Sequence, residues 1–179
     1  MSLPEYSPEQ LSQAAALVPE YQIPTQSYLL ANSLDDLRRC NTEAQPNAAG
    51  ELTRIGLRII PDAFDDDSVM GVRVSELSEI ASEIRQFRNI TVRGCFVRGC
   101  LDSLHGKELG RFFRACYESA KQMTVILPCA MPYLCVDGGL AALAYNRSEH
   151  PETLDDAVTA AQIVAMQNQT AFYAKLLIT

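Results

Sequence analysis

The sequence predicts a mainly α fold: residues 1–179 as a single-domain helical bundle of about seven helices, with at most a few short strands. Three stretches carry that prediction. Leu77, Ile80, Ile84 and Phe87 recur at spacings of 3, 4 and 3, which draws one apolar stripe on a helix. Leu109, Phe112, Phe113, Cys116, Ala120 and Met123 line one face of a stronger helix over 107–123. Thr153-Leu154-Asp155-Asp156 resembles a capping box with Asp in place of Glu. Val158, Ala161, Val164, Ala171 and Phe172 continue it as a last helix running nearly to the end of the chain.

The remaining elements follow in order. Residues 1–24 are expected as an extended N-terminal arm holding one short helix from Pro8 to about Val18, started by Ser7 and Pro8. Thr25 or Ser33 caps a second helix ending near Ala44. A third helix over Ala48–Ile59, closed by Pro61, competes with a strand, because Leu52–Ile60 partly alternates and Gly50 and Gly56 weaken a helix. Pro61–Ser68 is an acidic loop and Val69–Val74 a short strand. Ser75 caps the helix bearing Leu77. Thr91–Leu104 reads as a helix with Val92, Cys95, Phe96 and Leu104 on a rough face, and His105-Gly106 as its stop. Thr124–Leu127 reads as a buried strand or an extended crossing segment, and Asp137 as the cap of a short helix from Gly139 to Tyr145.

Composition narrows the function. The apolar fraction of 47% and charged fraction of 21% are those of a folded globular chain. No apolar run reaches the ~18–20 residues of a membrane span, and the start lacks the basic, apolar pattern of a secretory signal. A cytoplasmic or virion location with reduced cysteines is therefore expected. The net charge of −7 argues against a generally basic nucleic-acid binder. It is unevenly spread: between Arg85 and Arg114, six Arg and Lys107 stand against Asp102 and Glu108, giving +5 and leaving −12 elsewhere.

Chemistry-bearing motifs are scarce. The two His, His105 and His150, match no metalloprotease spacing, and no nucleophile elbow, C-x-x-C or P-loop occurs. Cys95/Cys100 and Cys129/Cys135 miss the usual zinc spacings. Neither a catalytic residue, a metal nor a cofactor is assigned. Val92–Cys100 repeats Val-Arg-Gly-Cys, which on a helix points the two Cys about 140° apart, so they do not form one symmetric site. The acidic loop Asp62, Asp65, Asp66 and Asp67 is simplest as a solvated turn.

The Arg-rich middle is the most informative feature. Arg85, Arg88, Arg93, Arg98, Arg111 and Arg114 are the candidate site, an Arg face meeting nucleic-acid phosphate or an acidic neighbour. The leading reading is a self-assembling helical subunit of the viral coat or nucleocapsid type, homo-oligomeric, without membrane or small-molecule cofactor. Phe112-Phe113-Arg114-Ala115-Cys116 followed by Ala141-Ala142-Leu143-Ala144-Tyr145 resembles the layout of flexible filamentous plant-virus coat proteins, which implies that role. The chain departs from that family in having no Trp and no Phe-Asp-Phe-Phe-like core. Two alternatives stand beside it: a small cytosolic enzyme using Cys95, Cys100 or Cys135 with Arg assistance, and a helical adaptor that binds another protein.

Overall fold

In the computed structural model, which describes residues 29–45, 50–64, 68–99, 101, 103–127, 133–172 and 174–179, six parallel strands form one sheet with helices between them. In chain order the elements are β1 (Leu29–Ala31), α1 (Leu34–Glu43), β2 (Thr53–Ile60), β3 (Val72–Arg73), α2 (Leu77–Ile84), β4 (Ile90–Arg98), α3 (Gly106–Ile126), β5 (Tyr133–Asp137), α4 (Gly139–Glu149), α5 (Leu154–Phe172) and β6 (Lys175–Ile178). The expected N-terminal arm and its helix lie outside the described residues.

The fold is α/β, and this overturns the helical bundle. The physical reason lies in the kind of sheet. Parallel strands are covered on both faces, so their sequences read as continuous apolar runs without alternation, and a short run of that kind is not separable from a buried helix by period. β4 is the clearest case. Ile90–Arg98 was expected within a helix over 91–104, yet it pairs with β2 on one side and β5 on the other. β5 and β6 were folded into a loop and a helix end by the same ambiguity, and the strand expected at Thr124–Leu127 is instead the last turn of α3. The strand alternative for Leu52–Ile60 is the one that holds.

Helix stripes were read more securely. α3 buries Leu109, Phe112, Phe113, Cys116, Ala120 and Met123, all at 0% exposure. Ser33 caps α1, its Oγ accepting the Asp36 N–H at 3.1 Å. Gly106 opens α3 where a stop was expected, and buried Asn146 explains how: its Oδ1 accepts the Gly106 N–H at 2.9 Å while its Nδ2 donates to the carbonyls of Leu104 and Ala142. A fully satisfied buried amide of this kind fixes where α4 sits against the start of α3.

The order along the sheet is β1, β2, β4, β5, β6, with short β3 pairing with the end of β2. Setting β3 aside, the successive strands β1, β2, β4, β5 and β6 step to the adjacent position in one direction, the winding of a (β/α) barrel. Ile55, Leu57, Ile59, Cys95, Val97, Leu134, Val136, Leu176 and Ile178 join the helices in the main core. Alternate residues form a second, smaller cluster of Phe96, Cys135 and Leu177 on the opposite face. Gly56 makes room there: a Cβ at that position would overlap the Phe96 ring.

A candidate site at the carboxyl edge of the sheet

In folds of this winding the strand carboxyl ends carry the chemistry, because the loops there converge over the sheet. Register places the relevant side chains. Arg58 pairs with Phe96, Phe96 with Cys135, and Arg98 with Asp137. Arg58, Phe96, Arg98, Cys135 and Asp137 therefore share the face turned away from the main core.

Three charged groups meet at its carboxyl end. Arg58 Nη2 donates to Asp137 Oδ2 at 3.0 Å, and Arg98 Nη1 approaches the same oxygen at 3.4 Å. Arg58 Nη1 also donates to Asn32 Oδ1 at 2.9 Å, just past β1. Asn32 is itself positioned by Asp36, whose Oδ2 accepts the Asn32 N–H at 2.9 Å. The Arg58 side chain is only 16% exposed, against 42% for Arg98 and 30% for Asp137. Arg58 Nε is buried and has no hydrogen-bond partner among the described residues. Among the described residues, this cluster sets two guanidinium groups against one carboxylate, and both ion pairs use only one oxygen of Asp137.

Asp137 was expected to cap α4. It instead ends β5, and Gly138 occupies the cap position at φ 81°, a left-handed conformation that glycine adopts without penalty. The sharp strand-to-helix turn is what leaves the Asp137 carboxylate at the sheet edge.

The six arginines singled out from the sequence do not gather on one face. Arg85 and Arg88 are exposed beside the turn before β4, at the amino edge of the sheet. Arg98 ends β4, ~26 Å away along an eight-residue rise. Arg93 is half-buried within β4, while Arg111 and Arg114 are exposed on α3. Of the six, only Arg98 enters the cluster. Arg58, Asp137 and Asn32 were missed. The signal for Asp137 was present, as an apolar run Leu134–Val136 ending in Asp-Gly-Gly before a helix. Arg58 had no comparable mark.

The thiols offer no activated nucleophile among the described residues. Cys95 and Cys116 are fully buried, and burial pushes the Cys116 thiol well up. Burial likewise pushes Cys135 up to about 11, outweighing the hydrogen bond with Thr179. Cys100 and Cys129 lie outside the described residues. No group of three His, Cys, Asp or Glu side chains among the described residues could hold a metal ion. No helix among them is long and apolar enough to cross a membrane.

No protein-family model matches the sequence, and comparison with curated proteins finds no match. Solved structures do match. The arginine decarboxylase of Paramecium bursaria Chlorella virus superposes with a TM-score of 0.57 at 15% identity, over 83% of this chain and 37% of that one. Diaminopimelate decarboxylase from Helicobacter pylori, complexed with L-lysine, gives 0.53 at 16% identity, over 84% and 39%. Its counterpart from m. jannaschi gives 0.53 at 14%, over 82% and 36%.

The fold is similar to the matched part of these structures. The chain spans well under half the length of these structures, and at such identity the likeness speaks for the fold alone. It still corrects the coat-protein reading. That reading rested on an all-helical chain, and a parallel α/β sheet matched by enzymes removes its basis, together with the resemblance seen in Phe112–Cys116 and Ala141–Tyr145.

Proposed function

We propose that this decarboxylase-like domain binds an α-amino acid at the carboxyl edge of its sheet. Arg58 and Arg98 face the ligand's carboxylate, and Asp137 its ammonium group. The observation that carries the reading is the Arg58–Asp137–Arg98 cluster itself. It is drawn from three successive strands of the sheet, lies where such folds place their ligands, and holds a partly buried guanidinium with an unused Nε. A planar guanidinium matches a carboxylate bidentately, and the second Asp137 oxygen suits an ammonium donor. Among the solved neighbours, one is an arginine decarboxylase with a structure bound to agmatine and another a diaminopimelate decarboxylase complexed with L-lysine, an α-amino acid.

The test is calorimetric titration of the full chain with L-lysine, L-arginine and agmatine. The amino acids are expected to bind at least tenfold more tightly than agmatine, which lacks the carboxylate, a difference of about 1.4 kcal/mol. Equal affinity for agmatine, or no binding by any of the three, would overturn the assignment.

A further inference from the structure

The chain holds three lysines, Lys107, Lys121 and Lys175. Lys107 and Lys121 are exposed on α3, and Lys175 is exposed where β6 begins, at the amino edge of the sheet. The candidate site lies at the other edge. Its face is built from Asn32, Arg58, Phe96, Arg98, Cys135 and Asp137, and none of these carries a primary amine.

That absence has a chemical consequence. Removing CO2 from an α-amino acid breaks the bond from Cα to the carboxyl carbon and leaves the electron pair on Cα. Pyridoxal phosphate is the common electron sink for such a carbanion, and it is carried as an imine on a lysine ε-amine, formed with loss of water. Arginine does not substitute, because its guanidinium stays protonated and does not condense with the aldehyde. The residues present therefore do not fit that cofactor. Phe96 adds to the misfit: its ring lies over Gly56 and Gly94 and fills the space in the middle of the face.

From these placements we infer that the chain recognises its amino acid by non-covalent contacts alone, as a ligand-binding domain on a decarboxylase-like fold, with none of its own lysines forming a cofactor imine. This rests on the binding reading above and goes beyond it by separating recognition from turnover.

The experiment uses the full chain in three forms: wild type, Arg58→Gln, and the triple variant Lys107→Arg/Lys121→Arg/Lys175→Arg. Each is titrated with L-lysine. Each is also incubated with pyridoxal phosphate, reduced with borohydride, and mapped by mass spectrometry, with CO2 release from L-lysine measured in parallel. The triple variant is expected to keep its L-lysine affinity within about twofold, whereas Arg58→Gln loses at least tenfold. Scattered labelling of the exposed lysines, unaffected by L-lysine or by Arg58→Gln, is the expected mapping result, with no CO2. A single lysine labelled once per chain and protected by L-lysine would overturn the inference, as would CO2 release that the triple variant abolishes. The two readings fail separately: absence of L-lysine binding by wild type overturns the binding site, while the labelling pattern and CO2 assay still decide the imine.

Discussion

Arg58 on β2 and Asp137 on β5 are 79 residues apart in sequence, yet Arg58 Nη2 donates to Asp137 Oδ2 at 3.0 Å across the intervening strand β4. The pair holds the carboxyl ends of three strands together and sets the charge of the candidate site. It is partly buried, so its energetic weight falls between that of exposed and fully buried ion pairs.

Replacing Asp137 with Asn tests that weight. Exposed pairs contribute about 0–1 kcal/mol, while stranding one partner of a buried pair costs about 3–5. With Arg58 at 16% exposure, Asp137→Asn is expected to destabilise the fold by about 1–3 kcal/mol in urea unfolding. An unchanged midpoint would mean that the pair contributes nothing to the fold.

Gly56 and Phe96 define the filling of the sheet's second face. Gly56→Ala forces the ring to move and is expected to cost about 1–3 kcal/mol. Adding Phe96→Leu should recover part of that loss, since the overlapping ring is gone. Strictly additive losses in the double variant would show that the two residues do not meet.

Phe112 packs edge-on against Phe64 with ring centroids 5.2 Å apart and is fully buried. Phe112→Ala is expected to cost about 3–5 kcal/mol. A negligible change in thermal midpoint would place α3's apolar face outward and contradict the packing described.

The Cys135 thiol links stability to pH. Burial pushes it up to about 11 from the ordinary thiol value of 9.0, so folding favours the neutral thiol. That contribution is fully present below pH 9.0 and is lost as pH rises toward about 11, a decline of about 2–3 kcal/mol for a rise of this size. Cys135→Ala should flatten the decline measured by denaturant unfolding across that window. The same burial makes Cys135 slow to alkylate in the native state, so rapid labelling by iodoacetamide at neutral pH would revive a thiol-based enzyme.

How far the sequence could be read depended on the element. The stripes on α2 and α3 were legible because a helix with one buried face repeats at 3.6 residues, whereas of the α5 residues singled out only Ala161 and Val164 are buried and Ala171 is exposed. β4 was not legible. Val92, Cys95 and Val97 face the helices while Phe96 packs on the other side, so apolar residues occupy both faces and no alternation survives. The register shift between Ile55 and Gly56 on β2 disturbs the period further. For the site, Arg98 was found within an Arg-rich stretch, and the structure spreads that stretch out, because closeness along β4 is distance across the sheet. Arg58 and Asp137 meet only through strand order, which no local pattern encodes.

The most direct test of the account is a crystal structure of the full chain grown with L-arginine. The account requires the ligand's carboxylate within hydrogen-bond distance of Arg58 and Arg98, its ammonium on Asp137 Oδ1, and no covalent link to any lysine. A ligand seated elsewhere, or bonded to a lysine, would contradict the claim that this carboxyl-edge cluster recognises an amino acid without reacting with it.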